Sequence, residues 1–180
     1  MLNWNNIPPL YRLPIRYGLI AASICMALVI SLFYMGKHPF LFPVFLDFRL
    51  ILFPTLFYLM IKEFRDFYQN GVLHFWQGLI LTIEFTLIWG LLCFIVLQLF
   101  AAVVPAFVAD YVQQFQEAAR KFPPEEIIKR VGKEAFERNL QALSATKGLD
   151  VALLYWKQGL IFSAFFSIII SVILRRQPNL

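Results

Sequence analysis

Four long apolar stretches restrict what this chain can fold into more than any other feature of its sequence. They cover residues 15–36, 44–67, 75–104 and 151–174. A helix that crosses the hydrocarbon core of a bilayer needs about 20 predominantly apolar residues, and the first, third and fourth stretches reach that length easily. The second contains Asp47, Arg49 and Pro54, so it crosses a membrane only if the two charged residues lie at the membrane surface. The chain is therefore predicted to be an all-α integral membrane protein with four transmembrane helices in a bundle.

The composition supports a membrane location. Hydrophobic residues make up 60 % of the chain and charged residues 15 %, whereas soluble domains average about 45–50 % and about 25 %. In water, much of this excess would be exposed as apolar patches, whereas a bilayer accommodates it. The length suits a single membrane domain that covers residues 1–180.

The first stretch has the alternative interpretation of a cleavable signal peptide. It is long for that role, and it is followed by Lys37, His38 and Pro39 in place of a small-residue cleavage site. An uncleaved first span is the favoured interpretation.

Positive charge near the ends of the spans predicts the orientation of the protein. With four spans, both termini share one side of the membrane with the short loop between spans two and three. That side carries Arg12, Arg16, Lys62, Arg65, Arg175 and Arg176. Cytoplasmic loops are enriched in Lys and Arg, so both termini are predicted to be cytoplasmic.

The loop 105–150 carries seven basic and seven acidic residues, so the net charge of +5 lies at the membrane flanks. Such flanking charge favours contact with anionic lipids. A nucleic-acid partner would require a basic patch on a soluble face, and none is predicted.

The same loop, 105–150, is predicted to form an extramembrane helical hairpin between spans three and four. Its first half places apolar residues four apart, as an amphipathic helix does, and Pro123 and Pro124 end that helix. The second half starts with acidic residues after a proline and also has an apolar side. The apolar residues are Phe107, Tyr111, Phe115 and Ala119 in the first helix, and Ile128, Val131, Ala135 and Phe136 in the second. The two stripes could pack on each other, lie on the bilayer surface, or hold a partner.

Small residues recur every four positions in two of the spans. Membrane helices associate through small residues that let their backbones come close. The third span carries Gly78, Thr82, Thr86 and Gly90, and the fourth carries Gly159, Ser163, Ser167 and Ser171. The two spans are therefore predicted to pack tightly, against each other.

Glu84 lies inside the third span, roughly opposite its small residues, and Gln77 and Gln98 fall near the same line. An ionised carboxylate in hydrocarbon is costly, so it pairs, stays protonated or faces water. Lys157 in span four is the candidate partner, although it could also extend to the outer surface. Glu84 is interpreted either as a hydrogen-bonded structural residue or as part of a proton, ion or ligand site; an error in the register of the span is the third possibility.

No established catalytic or metal-binding motif occurs in the sequence. Cys25 and Cys93 both lie in apolar stretches and are interpreted as packing residues. Asp47 and Arg49 at the start of span two, and Glu63, Arg65 and Asp66 at its end, are interpreted as surface ion pairs and as charges that set the topology. No catalytic residue, metal site or cofactor is therefore predicted.

Several short motifs resemble a known family. They are IRYGLI at 15–20, FRDFYQNGVLHFWQG at 64–78, a proline that closes span three (Pro105), a charged helical loop, and ILRR at 173–176. In this pattern the chain resembles the bacterial membrane family called domain of unknown function 4199. The resemblance covers nearly the whole chain. It implies a four-span protein of the bacterial cytoplasmic (inner) membrane, and it supplies no catalytic residues.

The entry to span three carries part of that resemblance. Phe75, Gln77 and Gly78 match the family's Phe-x-Gln-small pattern, whereas Trp76 is bulkier than the glycine expected there. The packing of this entry is therefore the part of the chain that the resemblance predicts least well.

Three functions are compatible with the sequence. The first is a non-enzymatic structural or accessory subunit of an envelope complex or membrane enzyme, which implies a membrane-protein partner. The second is a small homodimeric transporter or ion-coupled permease that uses Glu84. The third is an enzyme that acts on lipid-linked substrates at the elbow KEFRDFYQNG, 62–71. The first is favoured because the sequence carries no recognisable chemistry.

Overall fold

The computed structural model is all-α and describes residues 7–121, 125, 128–129 and 132–177. Six helices are described: α1 Pro9–Tyr34, α2 Arg49–Tyr68, α3 Phe75–Val103, α4 Ala106–Lys121, α5 Lys133–Ala142 and α6 Gly148–Leu174. Short 3₁₀ turns at Pro39–Leu41 and Val44–Leu46 lie between α1 and α2, and a third at Leu143–Ala145 follows α5. The all-α prediction is confirmed.

Three of these helices, α1, α3 and α6, are long and apolar enough to cross a membrane. The second predicted span does not meet the same criterion. Its helix α2 has 20 residues, and its last turns carry Lys62, Glu63, Arg65 and Asp66. Residues 44–48 of the predicted stretch precede the helix. By length and composition the described residues thus contain three candidate spans, and the predicted count of four is not supported.

The four long helices contact one another in the order α1, α3, α6, α2 and back to α1. In this arrangement α2 and α3 lie across a diagonal, where aromatic rings fill the centre. Phe53 and Phe57 of α2 meet Phe85 and Trp89 of α3 edge to face, and all four side chains are fully buried. This geometry is favourable for aromatic pairs beyond the burial of area alone.

One end of the bundle joins the elbow between α2 and α3 to the end of α6. The elbow turns at Asn70 and Gly71, which both have positive φ. Leu73 and Arg176 then exchange backbone hydrogen bonds of 2.9 and 3.0 Å. The elbow and the residues that follow α6 therefore lie at the same end of the bundle.

The helices of the predicted hairpin 105–150 are formed as α4 and α5, and α4 makes a contact with the connection between α1 and α2 that the three predicted alternatives did not include. Its buried residues Phe107 and Tyr111 lie against His38 and Phe40, in the connection between α1 and α2. Gln116 of α4 reaches the other helix of the hairpin, where it donates a 2.7 Å hydrogen bond to the carbonyl of Leu140. The predicted helix end at Pro123 and Pro124, together with Val131, lies outside the described residues.

Candidate functional site

The small residues of α3 and α6 meet face to face, as predicted. Gly78 faces Ser171, the hydroxyls of Thr82 and Ser167 are hydrogen-bonded to each other, and so are those of Thr86 and Ser163. These contacts form a seam between α3 and α6. At the far end of the seam, Gly90 lies under Trp156 and Gly159 lies under Trp89. Each step of four residues along α3 corresponds to a step of four residues backwards along α6. The predicted association of these two spans is confirmed.

The two tryptophans fill the space that the two glycines leave. A Cβ at Gly159 would lie 2.2 Å from the Trp89 ring, and a Cβ at Gly90 would lie 2.1 Å from Nε1 of Trp156. Trp89 is completely buried, and its Nε1 donates to Sγ of Cys25 at 3.2 Å. The seam is therefore a packed helix–helix contact that leaves no room for a ligand between these residues.

The four predicted polar residues are not brought together. Gln77 caps the start of α3, where its Oε1 accepts a 2.9 Å hydrogen bond from the backbone N–H of His74. Gln98 is half-buried near the other end of α3, close to Gly148. Lys157 is exposed, and Glu84 is half-buried on α3. In the described part of the chain no ion pair joins Glu84 to Lys157.

Asp47 and Arg49 form an ion pair, as predicted, but the prediction that the pair lies at the surface is wrong. The side chain of Arg49 is only 2 % exposed, and that of Asp47 17 %. Arg49 Nε donates to both carboxylate oxygens of Asp47 at 2.9 Å, and Nη2 also contacts this carboxylate. Nη1 and Nη2 reach α6, where they donate to the carbonyl oxygen of Tyr155 at 3.0 Å and to Oε1 of Gln158 at 2.9 Å. The connection between α1 and α2 folds into the bundle here, which withdraws the guanidinium from the surface.

This ion pair borders a cavity of about 570 Å³. One wall is the second half of α1, with Leu28 and Leu32; the second is the connection between α1 and α2; and the third is α6, with Ile161 and Phe162. The lining is mostly apolar, with Asp47, Arg49 and Gln158 as its charged and amide groups. Such a volume lies within the range of about 300–1,000 Å³ that is typical of small-molecule sites.

A signal for this site was present in the sequence. Charged residues that interrupt an apolar stretch are most often paired within the protein. Asp47 and Arg49 stand two residues apart in such a stretch, so their pairing could be predicted, whereas the burial of the pair could not. The sequence carries no comparable signal for the hydrogen bonds of Arg49 to Tyr155 and Gln158. They form only because α6 lies beside the connection between α1 and α2.

A second polar cluster ties α1 to the last turns of α2. Glu63 forms an ion pair with Arg16 and accepts a 2.9 Å hydrogen bond from the hydroxyl of Tyr17. In the same elbow region, Arg65 pairs with Asp66. Both carboxylates of the elbow 62–71 are thus held in ion pairs, and the pair of Glu63 with Arg16 joins two helices.

The side chain of His38 joins the segment between α1 and α2 to α4. Its Nδ1 accepts a hydrogen bond from the backbone N–H of Phe40 at 3.4 Å, and its Nε2 lies 3.0 Å from the carbonyl oxygen of Phe107. Both contacts are satisfied by a neutral ring that carries its proton on Nε2. Burial lowers the pKa of His38, and the hydrogen bond to the Phe107 carbonyl and the nearby carboxylate of Asp110 offset part of that effect.

We expect the contact of α4 with the bundle to weaken as the pH falls below about 6.5, the ordinary pKa of histidine. Because the pKa of His38 is lower in the folded state, the unfolded state binds more protons in this range and folding loses free energy. The amides of α4 should therefore show smaller protection factors, which correct the exchange rates for the intrinsic pH dependence of amide exchange, at pH 5.5 than at pH 7.5. The variant His38→Gln should lose this pH dependence, and an unchanged dependence would assign it to another group.

The comparison with known proteins identifies a family. The family model described as "Protein of unknown function (DUF4199)" matches residues 16–176. The chain belongs to this family. The resemblance predicted from IRYGLI, FRDFYQNGVLHFWQG and ILRR is thereby confirmed. No curated protein and no solved structure matches the chain. Membership in DUF4199 brings no activity with it, so function has to be argued from the structure.

Proposed function

We propose that this member of DUF4199 is a non-enzymatic, four-span protein of the bacterial inner membrane, and that it acts as an accessory subunit of an envelope complex or membrane enzyme. The observation that carries this proposal is Glu84. It is a half-buried carboxylate within the most apolar helix, and the described part of the chain provides no hydrogen bond or ion pair for it.

The depth of Glu84 in the membrane supports a protein partner. It lies nine residues after Phe75, which corresponds to about 14 Å along α3. The side chain of a glutamate is too short to reach the surface from there. The neighbouring residues Ile83, Leu87 and Leu91 are 51–56 % exposed. A helix of another protein that covers this side of α3 could supply the missing hydrogen-bond donor.

The fourth span is α2. Its 20 residues correspond to about 30 Å, the thickness of the hydrocarbon core. The charge of Arg49 at its start is neutralised inside the protein by Asp47. Near its end Glu63 pairs with Arg16 of α1 and Asp66 pairs with Arg65. With α2 counted, both termini lie on one side, and the basic residues there favour the cytoplasm.

Glu84→Leu tests the proposal. We expect the tagged wild-type protein, extracted gently from its native membrane, to bring a stoichiometric partner with it in mass spectrometry. Glu84→Leu should weaken that association about tenfold, as the loss of an interhelical hydrogen bond of about 1–2 kcal/mol would do. Glu84→Gln retains hydrogen-bonding capacity and should keep the partner.

Lys157→Leu is the matched control, because Lys157 is a charged residue of another span and is exposed. This variant should leave the association unchanged. A protein that is recovered only as a monomer, with equal behaviour of all three variants, would contradict the proposal. Recovery of a homodimer alone would favour the transporter instead, and a flux assay of reconstituted Glu84→Gln would then decide the role of the carboxylate.

A further inference from the structure

The cavity beside Arg49 opens on the side of the helix bundle. Three residues that line it, Leu28, Leu46 and Ile161, have 39 %, 59 % and 69 % of their surface exposed. They come from α1, from the α1–α2 connection and from α6, so they surround the opening on different sides. Leu28 and Ile161 belong to helices that are apolar enough to cross a membrane.

The opening lies below the ends of these helices. Leu28 stands six residues before the end of α1, about 9 Å along its axis, and Ile161 stands 13 residues after the start of α6, about 20 Å along its axis. At this depth the surroundings are hydrocarbon rather than water. An unfilled apolar cavity would leave its lining without van der Waals partners, and the molecules that can enter from the side are membrane lipids.

We propose that this cavity binds one acyl chain of a membrane phospholipid, with the polar end of the lipid near Asp47, Arg49 and Gln158. The mostly apolar lining fits a hydrocarbon chain. The ion pair at its border is neutral overall, so the site selects the chain and not an anionic headgroup. Glu84 is not among the lining residues, and the inference is independent of the proposed partner.

A photoreactive lipid tests this directly. The full-length protein is reconstituted with phosphatidylcholine that carries a diazirine in its acyl chain, irradiated, and mapped by peptide mass spectrometry. We expect strong labelling of the connection 39–48, which forms one wall of the cavity. Labelling of the lipid-facing side of α3, where Ile95 and Leu99 are exposed, reports ordinary surrounding lipid and serves as the internal reference.

Leu28→Trp should obstruct the opening and lower the labelling of 39–48 several-fold relative to the reference. Ile24→Trp is its matched control, since Ile24 lies one turn earlier on α1, has the same 39 % exposure and does not line the cavity. Ile161→Trp obstructs the opposite wall, and Ile168→Trp, also exposed on α6 but outside the cavity, is its control.

Loss of labelling in both obstructing variants but in neither control would support the proposal. Equal labelling in all five proteins, or labelling of 39–48 no stronger than the reference, would overturn it. Native mass spectrometry of the wild-type protein released from phosphatidylcholine nanodiscs should show one retained phospholipid. Retention of a free fatty acid or of another protein in its place would overturn the assignment of the occupant.

Discussion

Asp47→Ala is expected to lower the free energy of unfolding by about 3–5 kcal/mol, because it leaves the buried charge of Arg49 without its carboxylate. The guanidinium would keep its hydrogen bonds to Tyr155 and Gln158, but neither of these groups carries a compensating charge. Unfolding in mixed detergent micelles with increasing sodium dodecyl sulfate measures the change.

The double variant Asp47→Ala/Arg49→Met should recover most of this loss. Replacement of a buried ion pair by apolar residues is often neutral or stabilising, whereas removal of one partner is not. Asp66→Ala is the matched control, since it breaks the Arg65–Asp66 pair, which is closer to the surface, and exposed ion pairs contribute little to stability. If Asp47→Ala behaved like Asp66→Ala, the buried ion pair would not stabilise the fold.

Gly159→Ala is expected to destabilise the protein by about 1–3 kcal/mol, the usual cost of an extra carbon in a packed core. Its Cβ would lie 2.2 Å from Trp89. Trp89 cannot move aside, because its ring is 4.9 Å from that of Phe53 and 5.5 Å from that of Tyr155. Thermal unfolding in detergent measures the effect.

Gly90→Ala is the comparison, because Gly90 contacts Trp156 in the same way as Gly159 contacts Trp89. The Trp156 ring above Gly90 is half-buried, and its nearest described aromatic neighbour is Phe94, at 6.4 Å. This ring has more freedom to shift, so Gly90→Ala should cost less than Gly159→Ala. The opposite order, or no loss in either variant, would show that the seam does not depend on the close approach of the two glycines.

The sequence by itself determined which helices are long and apolar enough to cross a membrane, and two of the surfaces that join them. Bilayer thickness requires long apolar stretches, so α1, α3 and α6 could be located to within a few residues at most of their ends. The steps of four residues from Gly78 and from Gly159 define one face on each helix. Because close helix packing in lipid needs small residues, the association of these faces could be predicted.

Only the tertiary structure decided where the charged residues lie. Periodicity shows which residues share a face of one helix, but not which neighbour that face meets or how far a connection folds back. The carbonyl of Tyr155 is 106 residues from Arg49 along the chain, and nothing local to either residue encodes that contact. For the same reason Glu84 and Lys157 remain apart. The contacts of Thr82 with Ser167 and of Thr86 with Ser163 set the register of α3 against α6, and this register places Lys157 level with Leu92, about 12 Å from Glu84 along α3. The length of an apolar stretch follows from the sequence, whereas the register between two helices, and the neighbour that each face meets, are decided only when the helices assemble.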